Sequence, residues 1–258
     1  MKTHLDLGGR AIEVQHLASA HPHPGAPPLV FLHEGLGSIS MWRDFPQRLA
    51  DATGCAAILY SRHGYGRSTP LAAPRNVRYM HEEALETLPA LLDALDVEKP
   101  FLFGHSDGGS ISLIHAGGAG RDLTGVIVMA PHVFVEEVAL VNIRVADEAY
   151  RMGDLRSRLA RHHGDVDSAF RGWNDIWLHP EFRDWNIEGY LPTIPCPVLA
   201  IQGEDDEYGT MEQLERIARG ARDVELVKLA DCRHSPHKDQ PEAVIAAVTG
   251  FVADLLAR

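Results

Sequence analysis

A glycine-flanked serine is the residue in this chain best placed to do chemistry. The segment Gly104-His105-Ser106-Asp107-Gly108 directly follows the apolar run at 101–103, and residues 110–116 have the character of a helix. A serine at a sharp strand-to-helix turn sits in strained backbone, and flanking glycines leave room for the chain that presses against it. The N-terminus of the following helix supplies free N–H groups and a positive dipole. The pattern predicts a serine nucleophile at one edge of a sheet.

A serine hydroxyl is a poor nucleophile near neutral pH. It needs a base within hydrogen-bond reach and a third group that orients the base. The chain has 15 histidines to choose from. His63, His132 and His234 stay open on position alone, because each is expected in a loop after a strand, and His237 is the fallback base. We expect His105 to project away from the serine and pack. The remaining dismissed candidates lie near the N-terminus or in a helical insertion: His4, His16, His21, His23, His162 and His163.

Short apolar runs alternate with amphipathic segments along the chain, and these elements must position the serine and its base. A hairpin is predicted over residues 4–16, followed by strands over 29–32, 56–60, 101–103, 126–129, 198–201 and 224–229. Runs that are apolar on both faces are typical of parallel strands buried between helices. Helices are predicted over 41–52, 79–95, 211–220 and 242–256. This alternation predicts an α/β fold with a mostly parallel central sheet flanked by helices.

Residues 133–192 break this rhythm, because the segment looks helical and amphipathic throughout. It holds Trp173, Trp177 and Trp185, three of the four tryptophans. A stretch of about 60 residues is too long for a structureless connection in a compact domain. We predict a helical cap inserted into a core made of residues 1–132 and 193–258, with peripheral helices that cover nothing as the alternative. Trp173 and Trp177 are candidates to line a substrate pocket, or else to pack the cap on the core.

The chain resembles the α/β-hydrolase fold family along nearly its whole length. Residues 33–37 (HEGLG) follow the first parallel strand, where the family has a His-Gly oxyanion loop. Residues 61–68 (SRHGYGRS) look like the family's D-x-R-G-x-G-x-S turn, with Ser61 and His63 in place of the usual Asp and Arg. Residues 203–206 (GEDD) and 232–236 (CRHSP) follow later strands, which gives the order Ser, Asp, His that the family uses.

The resemblance implies roles for individual residues. Ser106 is the implied nucleophile, His234 the base and Asp206 the acid, the last from the family's G-x-x-D spacing. Asp205 and Glu204 would then form a solvated acidic patch. The implied oxyanion-hole donors are the backbone N–H groups of Asp107 and of Gly35, with Glu34 as second choice.

Glu34 stands where the commoner family pattern has glycine. Two carboxylates near the nucleophile, Glu34 and Asp107, raise the hypothesis that they bind a substrate carrying a cationic amine. The simpler interpretation is that Asp107 stabilises the following helix through its dipole and that Glu34 faces solvent.

Composition excludes several classes of partner. The 258 residues include 24 Lys+Arg and 36 Asp+Glu, a formal net charge of −12 that disfavours nucleic acid and anionic membranes. Three cysteines without a CxxC pair, no apolar run of 18 residues and no signal-like start lead us to expect a cytoplasmic protein. We expect no metal and no cofactor, and a monomer or homodimer.

These observations together predict a serine hydrolase that cleaves a small carboxylic ester through an acyl-enzyme. Hydrolysis of a carbon–carbon bond, of an amide or lactone, or of a thioester stays open, because all could run on the same three side chains. A perhydrolase or haloperoxidase-like activity is a further alternative. A non-enzymatic ligand-binding receptor is the alternative from a different functional class.

Overall fold

One eight-stranded sheet forms the centre of the protein, in a computed structural model that describes residues 2–258, without the side chain of Lys2. The strands are β1 (Lys2–Leu7), β2 (Arg10–Leu17), β3 (Leu29–Leu32), β4 (Ala57–Tyr60), β5 (Phe101–His105), β6 (Gly125–Met129), β7 (Val198–Gly203) and β8 (Val224–Leu229). Their order across the sheet is β1-β2-β4-β3-β5-β6-β7-β8. Among the described strands, β2 pairs antiparallel with β1 and β4, and the other neighbours are parallel. The predicted fold class is confirmed.

Side chains of the inner strands alternate between two apolar layers. Leu32 and Leu102 pack on one face of the sheet, whereas Phe31 and Phe103 pack on the other. Both faces are covered, which is why these strands are continuous apolar runs in the sequence. β8 differs, because it is an edge strand in which Leu229 alone is buried. The interpretation of residues 224–229 as a strand buried on both faces was therefore wrong.

Helices cover both faces of the sheet and fill the insertion. They are α1 (Phe45–Thr53), α2 (Tyr79–Glu82), α3 (Leu88–Ala94), α4 (Asp107–Gly118), α5 (Glu137–Met152), α6 (Leu155–Leu159), α7 (Val166–Trp177), α8 (Glu212–Gly220), α9 (Pro236–Asp239) and α10 (Pro241–Leu256). A π-helical turn over Glu83–Thr87 joins α2 to α3. No helix within residues 2–258 is long and apolar enough to cross a membrane.

Two predicted helices are interrupted at prolines. The helix predicted over 41–52 is a 3₁₀ turn (Ile39–Trp42) followed by α1, with Arg43 at a φ of 55° between them. Pro46 lies in the first turn of α1, the one part of a helix that tolerates proline, so the helix begins anew there. The wide π turn before α3 likewise precedes Pro89, whose missing N–H cannot extend a regular helix.

Residues between β6 and β7 are mainly helical: α5, α6 and α7, followed by 3₁₀ turns at Pro180–Asp184 and Glu188–Thr193. Trp173 and Trp177 of α7 belong to the same apolar cluster as Leu102 of the sheet. The boundaries of a separate cap remain a prediction, and Met1 of the predicted core lies outside the described residues. The parallel strands β3, β5, β6, β7 and β8 end at one edge of the sheet, so the loops that follow them meet there.

Candidate active site

Ser106 occupies the turn between β5 and α4 in a conformation that L-residues rarely adopt. Its φ is 52° and its ψ is −117°. A Cβ at Gly104 would collide with the carbonyl of Gly108, and a Cβ at Gly108 would collide with the carbonyl of Leu32. The two glycines therefore allow α4 to approach β3 and β5 closely, and the strained turn holds the Ser106 hydroxyl above the sheet edge.

His234 and Asp206 complete a hydrogen-bonded row with this serine. Nε2 of His234 lies 3.0 Å from Oγ of Ser106, and Nδ1 lies 2.8 Å from Oδ1 of Asp206. Asp206 follows β7 and His234 follows β8, so three loops from one sheet edge supply the three side chains. Oδ1 of Asp206 also accepts from the backbone N–H groups of Tyr208 (2.8 Å) and Gly209 (3.3 Å). The distance between His234 and Ser106 suits proton transfer, and the distance between His234 and Asp206 suits orientation of the His234 ring.

The electrostatic environment favours an ion pair between protonated His234 and ionised Asp206. Burial alone would lower the pKa of His234, but the neighbouring carboxylate of Asp206 raises it above the ordinary imidazole value. Burial alone would raise the pKa of Asp206, but the charge and hydrogen bond of His234 lower it. Asp206 therefore stays ionised, and the His234 ring is stabilised when it accepts a proton.

The neighbouring acidic residues do not join the row. Asp205 and Glu204 are exposed, as expected of a solvated patch. Glu207, which the sequence did not single out, accepts a hydrogen bond from the backbone N–H of His234 at 3.1 Å. That bond fixes the loop that carries the ring.

The other candidate bases lie elsewhere. The ring of His237 is buried against Trp42, at 4.9 Å between centroids, and burial holds its pKa well below the ordinary value. His105 points away from the serine, as predicted, and its Nε2 donates to the carbonyl of His234 at 2.7 Å. His63 makes no contact with the row among its described interactions. His132 lines the cavity beside Ser106, with its ring centroid 6.0 Å from that of His234.

Backbone N–H groups of two elements frame the space beside Ser106. Asp107 is the first residue of α4, so its N–H has no acceptor within the helix. Gly35 lies in the loop after β3, where any Cβ would collide with the indole of Trp173. Both Gly35 and Glu34 line the same cavity as Ser106. The structure thus brings together the backbone segments that the resemblance implied for an oxyanion hole.

Asp107 lies in the first turn of α4, as the simpler interpretation expected, but Glu34 is largely buried and does not simply face solvent. Asp107 is fully buried, where Tyr79 donates to Oδ2 (2.7 Å) and the indole of Trp177 donates to Oδ1 (3.2 Å). Its side chain therefore has internal partners and does not line the cavity. Glu34 is only 17% exposed and its Oε2 lies 3.6 Å from Nδ1 of His105. Burial opposes ionisation, yet the His105 ring and the charge of Lys238 hold the pKa of Glu34 well below its usual value.

The cavity above Ser106 has a volume of about 110 Å³. Trp173 and Trp177 line it, whereas Trp185 packs against Phe182. The remaining lining residues besides Ser106, His234 and the Glu34–Gly35 loop are Leu36, His132, Ala139, Ile143 and Tyr208. No lysine or arginine of the described chain lines it. Apolar periodicity in α5 was the one signal that could have indicated Ala139 and Ile143.

His163, dismissed above as a base, bonds to the loop after β3. Its Nδ1 accepts from the N–H of Gly66 (3.0 Å), and its Nε2 donates to the carbonyl of Leu36 (3.0 Å). Burial lowers the pKa of His163 to about 4. The neutral ring therefore ties the segment before α7 to the loops after β3 and β4. Within residues 2–258, no group of three or more His, Cys, Asp or Glu side chains is arranged to hold a metal ion.

Comparison with known proteins places this geometry in a family. The 2-hydroxy-6-oxononadienedioate/2-hydroxy-6-oxononatrienedioate hydrolase of Paraburkholderia xenovorans (strain LB400) is 24% identical over 89% of this chain and 88% of its own. The (E)-2-((N-methylformamido)methylene)succinate hydrolase of Acinetobacter baylyi (strain ATCC 33305 / BD413 / ADP1) is 23% identical over 87% of this chain and 90% of its own. A crystal structure of proline iminopeptidase from Mycobacterium smegmatis superposes with a TM-score of 0.78 at 22% identity, covering 99% of this chain and 98% of that one. Residues 29–247 match the model of the alpha/beta hydrolase family. The chain therefore belongs to the alpha/beta hydrolase family and is a hydrolytic enzyme.

Proposed function

We propose that this enzyme is a serine hydrolase that cleaves small, uncharged carboxylic esters through an acyl-enzyme. The observation that carries the proposal is the hydrogen-bonded row Ser106–His234–Asp206, which opens onto a cavity of about 110 Å³. A serine, a base within 3.0 Å of it and a buried acid behind the base form the arrangement that acyl transfer requires.

In the proposed reaction, Oγ of Ser106 attacks the acyl carbon while its proton moves to Nε2 of His234. Asp206 holds the Nδ1–H of the ring and stabilises the imidazolium. The negative charge that develops on the carbonyl oxygen lies at the N–H of Asp107 and at an N–H of the loop after β3. The tetrahedral intermediate collapses, and His234 returns the proton to the leaving alcohol. Water then repeats the sequence on the acyl-enzyme, giving the free acid and regenerating Ser106.

The size and polarity of the cavity support a compact, uncharged acyl group. A volume of about 110 Å³ is smaller than the roughly 150 Å³ cavity that holds a benzene molecule. Its walls are aromatic and aliphatic side chains, and no arginine or lysine among residues 2–258 lines it. A carboxylate buried there would lack a partner, at a cost of several kcal/mol. Glu34 on the wall adds repulsion against an anion.

Hydrolysis of a carbon–carbon bond in a dienoate-type ketone is the second candidate. It is favoured by the likeness to the 2-hydroxy-6-oxononadienedioate hydrolase over 89% of this chain. The names of both relatives refer to dicarboxylates, for which this cavity offers no arginine or lysine among the described residues. That difference is why we place ester hydrolysis first.

The test is a series of p-nitrophenyl esters with acetyl, butyryl and octanoyl groups, beside a glutaryl ester and a dienoate ketone. We expect the highest kcat/KM on acetyl or butyryl, and poor turnover of the octanoyl and glutaryl esters. Ser106→Ala should abolish turnover without changing the melting temperature, whereas Ser157→Ala, on the exposed surface of α6, should change neither. Turnover that survives Ser106→Ala would falsify the proposal. Faster cleavage of the ketone than of any ester would favour the second candidate.

A further inference from the structure

Arg62 is a fully buried cation just after β4 whose hydrogen bonds are directed at the loop after β3. Its NH2 nitrogen donates to the carbonyl of Glu34 at 2.9 Å and to the carbonyl of His33 at 3.3 Å. Its guanidinium lies 4.9 Å from the centroid of the Tyr65 ring. Burying a charge is costly unless bonds compensate for it, and NH2 makes the side-chain hydrogen bonds of Arg62, since Nε and NH1 have no partner in the described chain.

The carbonyl of Glu34 receives two more hydrogen bonds, from Nδ1 of His33 at 2.7 Å and from the backbone N–H of Gly37 at 3.0 Å. The other nitrogen of that ring, Nε2, accepts from the backbone N–H of Arg62 at 2.9 Å. Because Nε2 is the acceptor, the His33 ring is neutral with its proton on Nδ1. Burial, reinforced by the nearby positive charge of Arg62, holds the pKa of His33 well below the ordinary value. Three donors therefore fix the carbonyl of Glu34, and Arg62 is the one that also bonds the carbonyl of His33.

These bonds also determine where two N–H groups point. In a trans peptide the carbonyl of one residue and the N–H of the next are directed oppositely, and no peptide of the described chain is cis. The carbonyl of His33 shares a peptide with the N–H of Glu34, and the carbonyl of Glu34 shares one with the N–H of Gly35. Donation from Arg62 to both carbonyls turns both N–H groups away from the guanidinium. Glu34 and Gly35 line the cavity together with Ser106.

The same guanidinium faces the other side of the site. Its NH2 lies 3.6 Å from Oδ2 of Asp107, and both side chains are completely buried. Asp107 is the first residue of α4 and directly follows the serine, so its N–H is the second donor of the proposed oxyanion hole. Tyr79 donates to the same Oδ2, and the indole of Trp177 donates to Oδ1. One ion pair thus links the two backbone segments that frame the reacting carbonyl.

We propose that Arg62 is a positioning residue of the oxyanion hole, because it bonds the carbonyls of both His33 and Glu34 and pairs with Asp107 at the start of α4. This inference rests on the proposed function, since the hole matters only if Ser106 attacks a carbonyl. Hydrogen bonds accepted by a peptide carbonyl also polarise the N–H of that peptide and strengthen it as a donor. Arg62 acts through the loop and does not touch the substrate.

The test compares Arg62→Met and Arg62→Lys with a matched control, Arg75→Lys. Arg75 lies 5.1 Å from the centroid of the same Tyr65 ring, but its guanidinium donates to the carbonyl of His63 and not to the loop after β3. For the Arg62 variants we expect kcat on a short ester to fall about 10²–10³-fold with little change in KM, as for the loss of one oxyanion donor. Arg75→Lys should keep the wild-type kcat.

A second readout separates positioning from mere stabilisation of the fold. Replacing the ester C=O by C=S puts the developing charge on sulfur, a weaker hydrogen-bond acceptor. The wild-type enzyme should prefer the oxygen ester strongly, and the Arg62 variants should lose most of that preference. A variant that loses activity while keeping the wild-type oxygen-to-sulfur preference would overturn the inference.

If neither Arg62 variant folds, the wild-type protein provides the test. With ¹⁵N-labelled enzyme and a boronic acid bound to Ser106, the amide proton of Asp107 and that of Gly35 or Glu34 should both move downfield. A Ser106 adduct that shifts Asp107 but neither loop amide would refute the inference and leave the proposed function intact. Failure of the wild type to form the adduct or hydrolyse any ester would instead refute the proposed function.

Discussion

Replacing Asp206 by asparagine should slow ester hydrolysis while leaving the His234 ring in its present orientation. Oδ1 of Asp206 accepts from His234 and from the backbone N–H groups of Tyr208 and Gly209. Those two N–H groups accommodate only an acceptor, so the asparagine oxygen should take the Oδ1 position. The Nδ1–H of His234 then still has its acceptor, and the tautomer that the reaction needs is preserved.

The Asp206→Asn variant therefore loses the negative charge beside His234 but keeps the orientation of the His234 ring. A full carboxylate about 4 Å from an imidazolium contributes roughly 4 kcal/mol at an effective dielectric constant of about 20. A neutral amide oxygen keeps only the hydrogen bond, so a loss of about 3–4 kcal/mol in transition-state stabilisation is expected. At about 1.36 kcal/mol per tenfold, kcat should fall about 10²–10³-fold. A variant that flips the tautomer would lose about 10⁴-fold.

The assay is kcat on a short p-nitrophenyl ester for Asp206→Asn and, as the comparison, Asp206→Ala, which removes the acceptor entirely. Alanine should cost at least tenfold more than asparagine, about 10⁴-fold in all. The Oδ2 position has no partner in the described chain, so the asparagine NH2 placed there should also lower stability by about 1–3 kcal/mol. Equal losses of kcat for the two variants would show that the backbone N–H groups do not hold the oxygen, and would refute the reasoning.

Three further predictions concern protonation and packing. Turnover needs neutral His234, whose pKa Asp206 raises, so kcat/KM should reach half its plateau at a pH above about 6.5; a midpoint well below that value would contradict the assignment. Burial lowers the pKa of His163 from 6.5 to about 4, and protonation breaks the hydrogen bond that its ring accepts from Gly66. The contribution of the neutral ring to stability is therefore complete above pH 6.5 and is lost as the pH falls to 4. That loss, about 3 kcal/mol of unfolding free energy, should be absent from denaturant titrations of His163→Gln. Gly108→Ala should destabilise the protein and abolish activity because its Cβ meets backbone, whereas Gly250→Ala, on the open face of α10, should stabilise it by about 0.4–1 kcal/mol in the same melts.

The sequence was sufficient for the fold because its signals are local. Strands buried on both faces are continuous apolar runs, and the strained turn at Ser106 requires glycines at fixed spacing. The order of the loops along the chain then allowed Asp206 and His234 to be named before their contacts were known. Even the break before α1 has a local cause in Pro46.

The features that the sequence did not predict depend on contacts between residues distant along the chain. Arg62 is one more cation in a charged turn as far as the sequence shows, and its burial appears only when β4 lies beside β3. Ser61, where the family usually has Asp, donates to the buried Glu13 of β2, which supplies the carboxylate from another strand. His163 was dismissed because it lies in the predicted helical insertion, yet it bonds to the loop after β3 beside Ser106. No local pattern encodes such pairings.

The most direct test of the account is the site of covalent modification by a fluorophosphonate. The phosphonyl group should appear by mass spectrometry on the peptide that carries Ser106, and ester hydrolysis should fall in proportion to the fraction of Ser106 that is modified. His234→Ala should slow labelling strongly, because the serine then has no base 3.0 Å away. A phosphonyl group on another residue, or full ester turnover in protein whose Ser106 is modified, would contradict the claim that this serine is the nucleophile.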